Sequence, residues 1–394
     1  MITKMPSIPI DYFKDFFSSK SAGGILLLVC VIISLLIANS SFGSTYASFL
    51  DTELGQNFGG ITLKYPILHW INDGLMAIFF LLVGLEIKRE LVEGELSSPK
   101  QAALPVFAAI GGMIVPALLF TLFNNNTPTA NGWGIPMATD IAFAIAILSL
   151  LGDKVPTSLK IFLTALAIVD DLGAILVIAV FYSTEIHLDY LSYAGATLAL
   201  LILLNRLKVM NLLFYLIPGT LLWYFIHHSG IHATFAGVLT ALTIPTTPDE
   251  TESPLEKLEH TLNKPVSFII MPIFALANTN IRFETGMIEG IVSNMGLGIL
   301  FGLLIGKPLG IFIMSWLSVK TGIGSLPEGV KWTQVIGLGV LGGIGFTMSI
   351  FIAMLSYKAP DLQTNAKFVV LITSVLAGAI GYMILKLIYT RRNK

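Results

Sequence analysis

Two adjacent aspartates, Asp170 and Asp171, stand in the middle of the apolar run 164–174. Each is roughly ten residues, or about 15 Å, from either end of a helix rising 1.5 Å per residue. An aspartate is too short to snorkel that far. Lys307, between Gly306 and Pro308 in a second apolar block, lies equally deep. A charge at such depth in a bilayer costs at least about 2.5–3.5 kcal/mol, so these groups must be paired, hydrated or neutral for part of the time. Adjacent helical positions point about 100° apart, which lets one aspartate take a lysine while the other faces a cavity. Two neighbouring carboxylates in a low dielectric resist ionising together. A proton or a small hard cation held through oxygens neutralises them alternately, and a site that does so while facing each side in turn is a cation/proton exchanger. A salt bridge that only ties helices together needs one acid per base. Here Asp140, Asp170 and Asp171 face one lysine, and the surplus is proton-binding capacity.

The elements that must carry these groups are membrane helices. Of 394 residues, 55% are hydrophobic and only 12% charged, about half the charge of a soluble domain. Apolar blocks predict twelve spanning helices in one domain, 1–394, near 22–40, 67–92, 102–124, 133–151, 159–182, 189–206, 212–227, 231–245, 266–281, 296–318, 334–357 and 367–389. The block 231–245 is short for a full span, and either tilts or stops within the membrane. With the N-terminus inside, alternation places eighteen of the 23 basic residues on the cytoplasmic side. Lys64, Arg282, Lys358 and Lys367 fall outside, and Lys307 stays within a span. Such asymmetry would be scrambled by one missing helix early in the chain, so both termini are expected in the cytoplasm. The run 24–38 reads as a retained first span rather than a cleaved signal. Segment 41–66, with Gly59-Gly60, reads as a small external hairpin or a plain loop; a hairpin edge there is where a second subunit would pair.

Two blocks look wrong for plain helices. The fourth carries Pro136, Thr139 and Asp140 near its middle, and the eleventh carries Gly337, Gly339, Gly342, Gly343 and Gly345 before Phe346-Thr347. Irregular backbone at membrane depth is tolerated where it is buried in protein or lines a wet cavity. These blocks are the middle members of helices 3–5 and 10–12. Seven helices separate equivalent members of the two groups, and an odd shift inverts the topology. Paired interruptions of this kind point to a transport site. In the tenth block Gly298, Gly302, Gly306 and Gly310 recur every four residues, a face for close packing.

Several function classes are excluded. A net charge of −1 and the lack of a large Lys/Arg patch leave no nucleic-acid surface. Cys30 is the only cysteine, so there is no intrachain disulfide and no cysteine metal site. An intramembrane aspartyl protease needs its two carboxylates facing each other across a scissile bond, whereas these are neighbours on one helix. A passive channel needs an open polar pore. His227, His228 and His232 flank Gly230 at a helix boundary and read as interfacial histidines rather than a metal site.

The motifs Gly84-Leu85-Glu86-Ile87-Lys88-Arg89-Glu90, Pro136-Met137-Ala138-Thr139-Asp140-Ile141-Ala142-Phe143, Ala167-Ile168-Val169-Asp170-Asp171, Ser229-Gly230-Ile231-His232-Ala233-Thr234 and Gly306-Lys307-Pro308-Leu309-Gly310 resemble those of the NhaA-type sodium/proton antiporters over nearly the whole chain. Inverted repeats are a known feature of that family. The resemblance implies Asp171 and Asp170 as carriers of Na⁺ (or Li⁺) and H⁺, with Lys307 pairing Asp170 when the site is deprotonated. It implies that the fourth and eleventh helices unwind and cross near the midplane, where Asp140, beside Thr139, offsets facing helix N-termini and Lys307 offsets facing C-termini. It further implies electrogenic exchange without a cofactor, a homodimer, the inner membrane of a bacterial cell, and inactivity at acidic pH. The pH response would lie with Glu86, Arg89 and Glu90 after the second helix and with Glu256, Lys257, Glu259 and His260 before the ninth. Glu256 is acidic where a basic residue is expected from the family.

Overall fold

The computed structural model describes residues 22–56, 63–183, 185–247 and 253–391. The chain begins with α1 (Ala22–Ala38) and a short α2 (Gly43–Leu50), set at 113° to each other. Strands β1 (Glu53–Leu54) and β2 (Tyr65–Pro66) then pair antiparallel, Glu53 opposite Pro66. The expected hairpin thus has its two strands, while Gly59-Gly60 lies outside the described residues. Next come α3 (Ile67–Val92) and α4 (Pro99–Asn124). The fourth apolar block is a 3-10 segment, Ala130–Met137, followed by α5 (Ile141–Ser149). The middle of the chain holds α6 (Thr157–Phe181), α7 (Leu188–Arg206), α8 (Leu213–Ser229), α9 (Phe235–Thr243), α10 (Pro254–Pro265) and α11 (Met271–Asn278). After α12 (Met287–Ile291) follow α13 (Asn294–Lys320), α14 (Trp332–Gly342), α15 (Phe346–Ser356) and α16 (Pro360–Arg391).

Among the described residues, seven helices are long and apolar enough to cross a membrane, and up to nine when each bent pair counts as one span. Their outer faces stay apolar: Leu118, Leu122, Leu176, Val180, Leu376 and Leu387 are exposed. Exposed apolar bands of that extent belong in lipid, and the protein is a multi-pass membrane protein. Helix α9 is too short to cross, since nine residues reach only about 14 Å. It packs against α3, where Gly237 leaves room for the Ala77 carbonyl; a Cβ there would lie 2.2 Å from that oxygen. Lys88 donates to the carbonyls of Leu242 and Ile244 and so closes the C-terminal end of α9.

Punctuation in the sequence explains the boundaries. Ser98 caps α4 with Pro99 at its first turn. Ser253 and Glu256 form a reciprocal capping box that starts α10 twelve residues before the predicted block at 266. Proline also displaces hydrogen bonds: ahead of Pro272 and Pro308 the helices loosen into π turns, Val266–Ile270 and Gly302–Gly306. The N–H of Lys307 there reaches the Gly302 carbonyl, and such local widening re-aims the next side chain.

Three hydrophobic clusters result among the described residues, the smallest of them Ile281, Met287 and Phe368. The largest surrounds the two broken blocks, and the second joins α7, α8, α9 and α10 to Leu81 and Leu85 of α3. The glycine face of α13 lies against α4 so closely that a Cβ on Gly310 would stand 2.0 Å from the Gly111 carbonyl. That contact sets the depth at which Lys307 enters the core.

Candidate functional site

The site is built where the two breaks meet. In the fourth block Ala138 is extended and Asp140 is the N-cap of α5. Glycine and proline keep the preceding segment out of a regular helix: Pro136 has no N–H to give, and Gly132 lies where a Cβ would meet the Tyr357 hydroxyl at 1.9 Å. In the eleventh block α14 and α15 are bent 47° apart around Gly343–Gly345. The Asp140 N–H donates to the Ile344 carbonyl at 2.6 Å, joining the two interruptions directly.

Asp140 serves two helix starts at once. Its Oδ1 accepts from the Phe143 N–H at 3.1 Å on its own helix, and its Oδ2 accepts from the Thr347 N–H at 3.2 Å and from the Thr347 hydroxyl. Each helix start leaves unpaired N–H groups and partial positive charge, and one buried carboxylate answers both. Lys307 does the converse: its Nζ donates to the Met137 carbonyl at the end of the 3-10 segment and lies 2.5 Å from Asp170 Oδ2. The Thr139 hydroxyl stands 2.7 Å from the same Asp170 oxygen and 3.0 Å from the Gly342 carbonyl at the end of α14. Its single proton serves one of them at a time. Lys307 and Asp170 are each about 1% exposed, so the pair is desolvated and depends on these hydrogen bonds for its cost to be offset.

Asp171 differs from its neighbour. Both are buried and both leave Oδ1 without a hydrogen-bond partner, but Asp171 has no base beside it and lines a cavity of about 560 Å³. Thr139, Asp140, Thr164 and Thr347 line the same cavity, as do Glu86, Arg89, Asn263 and Lys264 at its other side. The cavity therefore offers oxygen ligands of the kind that suit a hard cation, with an ionisable carboxyl among them.

Glu86, Arg89 and Glu90 come from the end of α3, and Glu256, Glu259 and His260 from α10. Arg89 joins the two helices, its Nε 3.3 Å from Glu259 Oε2 and its Nη2 3.1 Å from Glu90 Oε1. Burial of Glu259 raises its pKa, and Arg89 opposes the rise only in part. Glu256 instead turns back on its own helix, its Oε2 accepting from the Ser253 N–H at 2.8 Å. That hydrogen bond holds its pKa below the ordinary value.

The structure also gathers residues that the sequence reading left apart. Thr347, Met137 and Gly342 complete the crossing, two of them through backbone carbonyls that no side-chain pattern reports. Two of the three flagged histidines, His227 and His232, meet His69 around Asp73. His69 and Asp73 sit four apart on α3, a spacing that was visible in the sequence.

Residues 14–385 match the family described as Na⁺/H⁺ antiporter 1. The chain is 65% identical over 379 residues to the Na(+)/H(+) antiporter NhaA 2 of Flavobacterium johnsoniae, covering 96% of this chain and 93% of that one. It is 53% identical over 381 residues to the Na(+)/H(+) antiporter NhaA of Flavobacterium psychrophilum, covering 97% of each. The protein of that name from Dechloromonas aromatica is 50% identical over 386 residues, again 97% of each. With the match running nearly end to end, the chain belongs to the Na⁺/H⁺ antiporter 1 family, whose members are transporters rather than enzymes.

Proposed function

We propose that the protein exchanges cytoplasmic Na⁺ or Li⁺ for external protons through Asp171 and Asp170, in an alternating-access cycle. The observation that carries this is the contrast within the pair: each leaves its Oδ1 unpartnered, but Asp170 is held through Oδ2 by Lys307 and Thr139, while Asp171 has no such base and lines a polar cavity. A buried carboxylate without a partner must gain a proton or a cation. Two carboxylates take up two protons in one state and share one Na⁺ in the other, so more protons than sodium ions move per cycle and the exchange is electrogenic. Asp140 and Lys307 keep the broken helix ends compensated while the site changes its access. A further part of the reading is twelve spans, with helices 3–5 and 10–12 as inverted repeats, in the inner membrane with both termini cytoplasmic. In that orientation the cavity beside Glu86 and Arg89 faces the cytoplasm. A homodimer through segment 41–66 belongs to the same proposal.

The Arg89–Glu259 contact, with Glu86, Glu90 and His260 around it, supports a pH response at the cytoplasmic end. Protonation of the buried Glu259 removes the charge that Arg89 faces and loosens α3 from α10. The test is proton efflux from acid-loaded everted vesicles on adding Na⁺, Li⁺ or K⁺. Efflux is expected with Na⁺ and Li⁺ and is expected to vanish in Asp171→Asn. Unimpaired exchange in that variant would remove Asp171 from its assigned role.

A further inference from the structure

At the other end of α3, about 20 Å along the helix from Glu86, a second cluster of ionisable side chains has no part in the exchange described above. Asp73 is buried there, its carboxylate faced by three imidazoles. His69 Nε2 lies 3.1 Å and His227 Nδ1 3.5 Å from Asp73 Oδ2. The three ligand atoms all fall within 4.8 Å of one another. From the other side, His232 Nε2 lies 3.9 Å from Asp73 Oδ1.

We propose that His69, Asp73 and His227 form a binding site for a divalent transition-metal ion of the zinc class, with His232 within reach as a fourth ligand.

Four observations carry this. First, a tetrahedral ion with bonds of about 2.0–2.1 Å separates its ligand atoms by about 3.3 Å, and the two distances to Asp73 Oδ2 bracket that value. Second, the buried His69 Nε2 makes no hydrogen bond despite its closeness to the carboxylate, so its position is not accounted for by hydrogen bonding. Third, the rings are held in place. Tyr65 stacks on His69 with centroids 4.6 Å apart, and Trp223 stacks on His227 at 5.8 Å with planes only 14° apart. His232 Nδ1 lies 3.2 Å from the Thr234 hydroxyl, which turns Nε2 toward Asp73 and supplies the outer-shell partner that ligating histidines ordinarily have. Fourth, His227 also lines a polar cavity of about 980 Å³ with Trp133, Tyr182 and Tyr357, which gives a hydrated ion a route in.

Backbone geometry explains how ligands so placed in sequence converge. Helix α8 ends at Gly230, whose φ of 89° is left-handed. That turn brings His232 back toward the face already occupied by His227. Imidazole and carboxylate ligands together suit Zn²⁺ and its neighbours Co²⁺, Ni²⁺ and Cu²⁺, and select against Ca²⁺ and Mg²⁺. A bound ion would join the start of α3 to the end of α8.

The test uses full-length purified protein carrying a tag without histidine. Titration with Co²⁺ is expected to give the visible ligand-field bands of a tetrahedral site at one ion per chain, displaced by Zn²⁺. His69→Ala and His227→Ala are expected to weaken binding by at least about tenfold. His228→Ala, whose ring nitrogen instead meets the Tyr224 carbonyl, is expected to leave it unchanged. Thermal unfolding guards against misfolding: Zn²⁺ should raise Tm for the parent and for His228→Ala but not for His227→Ala. Tetrahedral bands missing from the parent protein, or persisting equally in His69→Ala and His227→Ala, would overturn the proposal.

Discussion

The meeting point of the two broken blocks and the junction of α3 with α10 both bury carboxylates beside a basic side chain, yet they handle charge in opposite ways. At the meeting point both Asp140 oxygens accept from helix starts, and Lys307 donates to the Met137 carbonyl at a helix end and to the Asp170 carboxylate. At the junction Arg89 is shared between Glu90 and Glu259, and Glu259 keeps a buried oxygen without a hydrogen bond. A densely hydrogen-bonded network in a low dielectric is rigid and expensive to disturb. An undersatisfied one changes protonation at modest cost. The first arrangement frames the proposed exchange site, and the second is the proposed pH-responsive element. Asp171 lies between them, lining the cavity that both regions share.

Substitutions sharpen or break that contrast. The largest effect on stability is expected for Lys307→Ala, which leaves Asp170 charged and buried, at a cost of about 3–5 kcal/mol. Its thermal unfolding in detergent should drop clearly and its exchange should change pH dependence; an unchanged melting temperature would count against the pairing with Asp170. Asp140→Ala is expected to cost less, about 1–3 kcal/mol, because it strips hydrogen bonds from two helix starts without stranding a charge. Denaturation curves would measure it, and a neutral result would mean that α5 and α15 need no shared cap.

Smaller effects are expected at the junction. Glu259 binds its proton more tightly in the folded protein than in the unfolded chain. Its stabilising contribution is therefore present below its ordinary titration range and fades as pH rises through the raised value. Glu259→Gln, which cannot ionise, should flatten that part of the stability-versus-pH curve. The same variant should shift activation of exchange toward alkaline pH, and a superimposable pH–activity profile would remove Glu259 from the sensor. Glu256→Gln should do least of all, since glutamine completes the capping box equally well. A large shift of the pH profile in this variant would show that the Glu256 carboxylate senses pH as well as capping α10.

Much of the frame was legible in the sequence because charge in an apolar run is costly and must be explained. Asp170, Asp171, Lys307 and Asp140 announce themselves on that ground, and Pro136 with the glycines of 337–345 marks the backbone breaks. What stayed hidden was supplied by the backbone or by tertiary contact. The carbonyls of Met137 and Gly342 carry no signature in a side-chain pattern. The π turns before Pro272 and Pro308 leave the apolar pattern of their blocks unchanged. Other features were readable and passed over. Ser253-x-x-Glu256 is a capping signature that moves the start of α10 upstream and accounts for an acidic residue where the family pattern suggests a basic one. His69 and Asp73 share a helix face, but their meeting with His227 needs the fold.

The central claim is that H⁺ and Na⁺ are alternative occupants of the same carboxylates. The most direct measurement is proton release on adding Na⁺ to purified protein in weakly buffered detergent solution, without a membrane or a gradient. The account predicts release that saturates with Na⁺, is reproduced by Li⁺, and is lost in Asp171→Asn. Sodium binding without proton release, or equal release from Asp171→Asn, would contradict it.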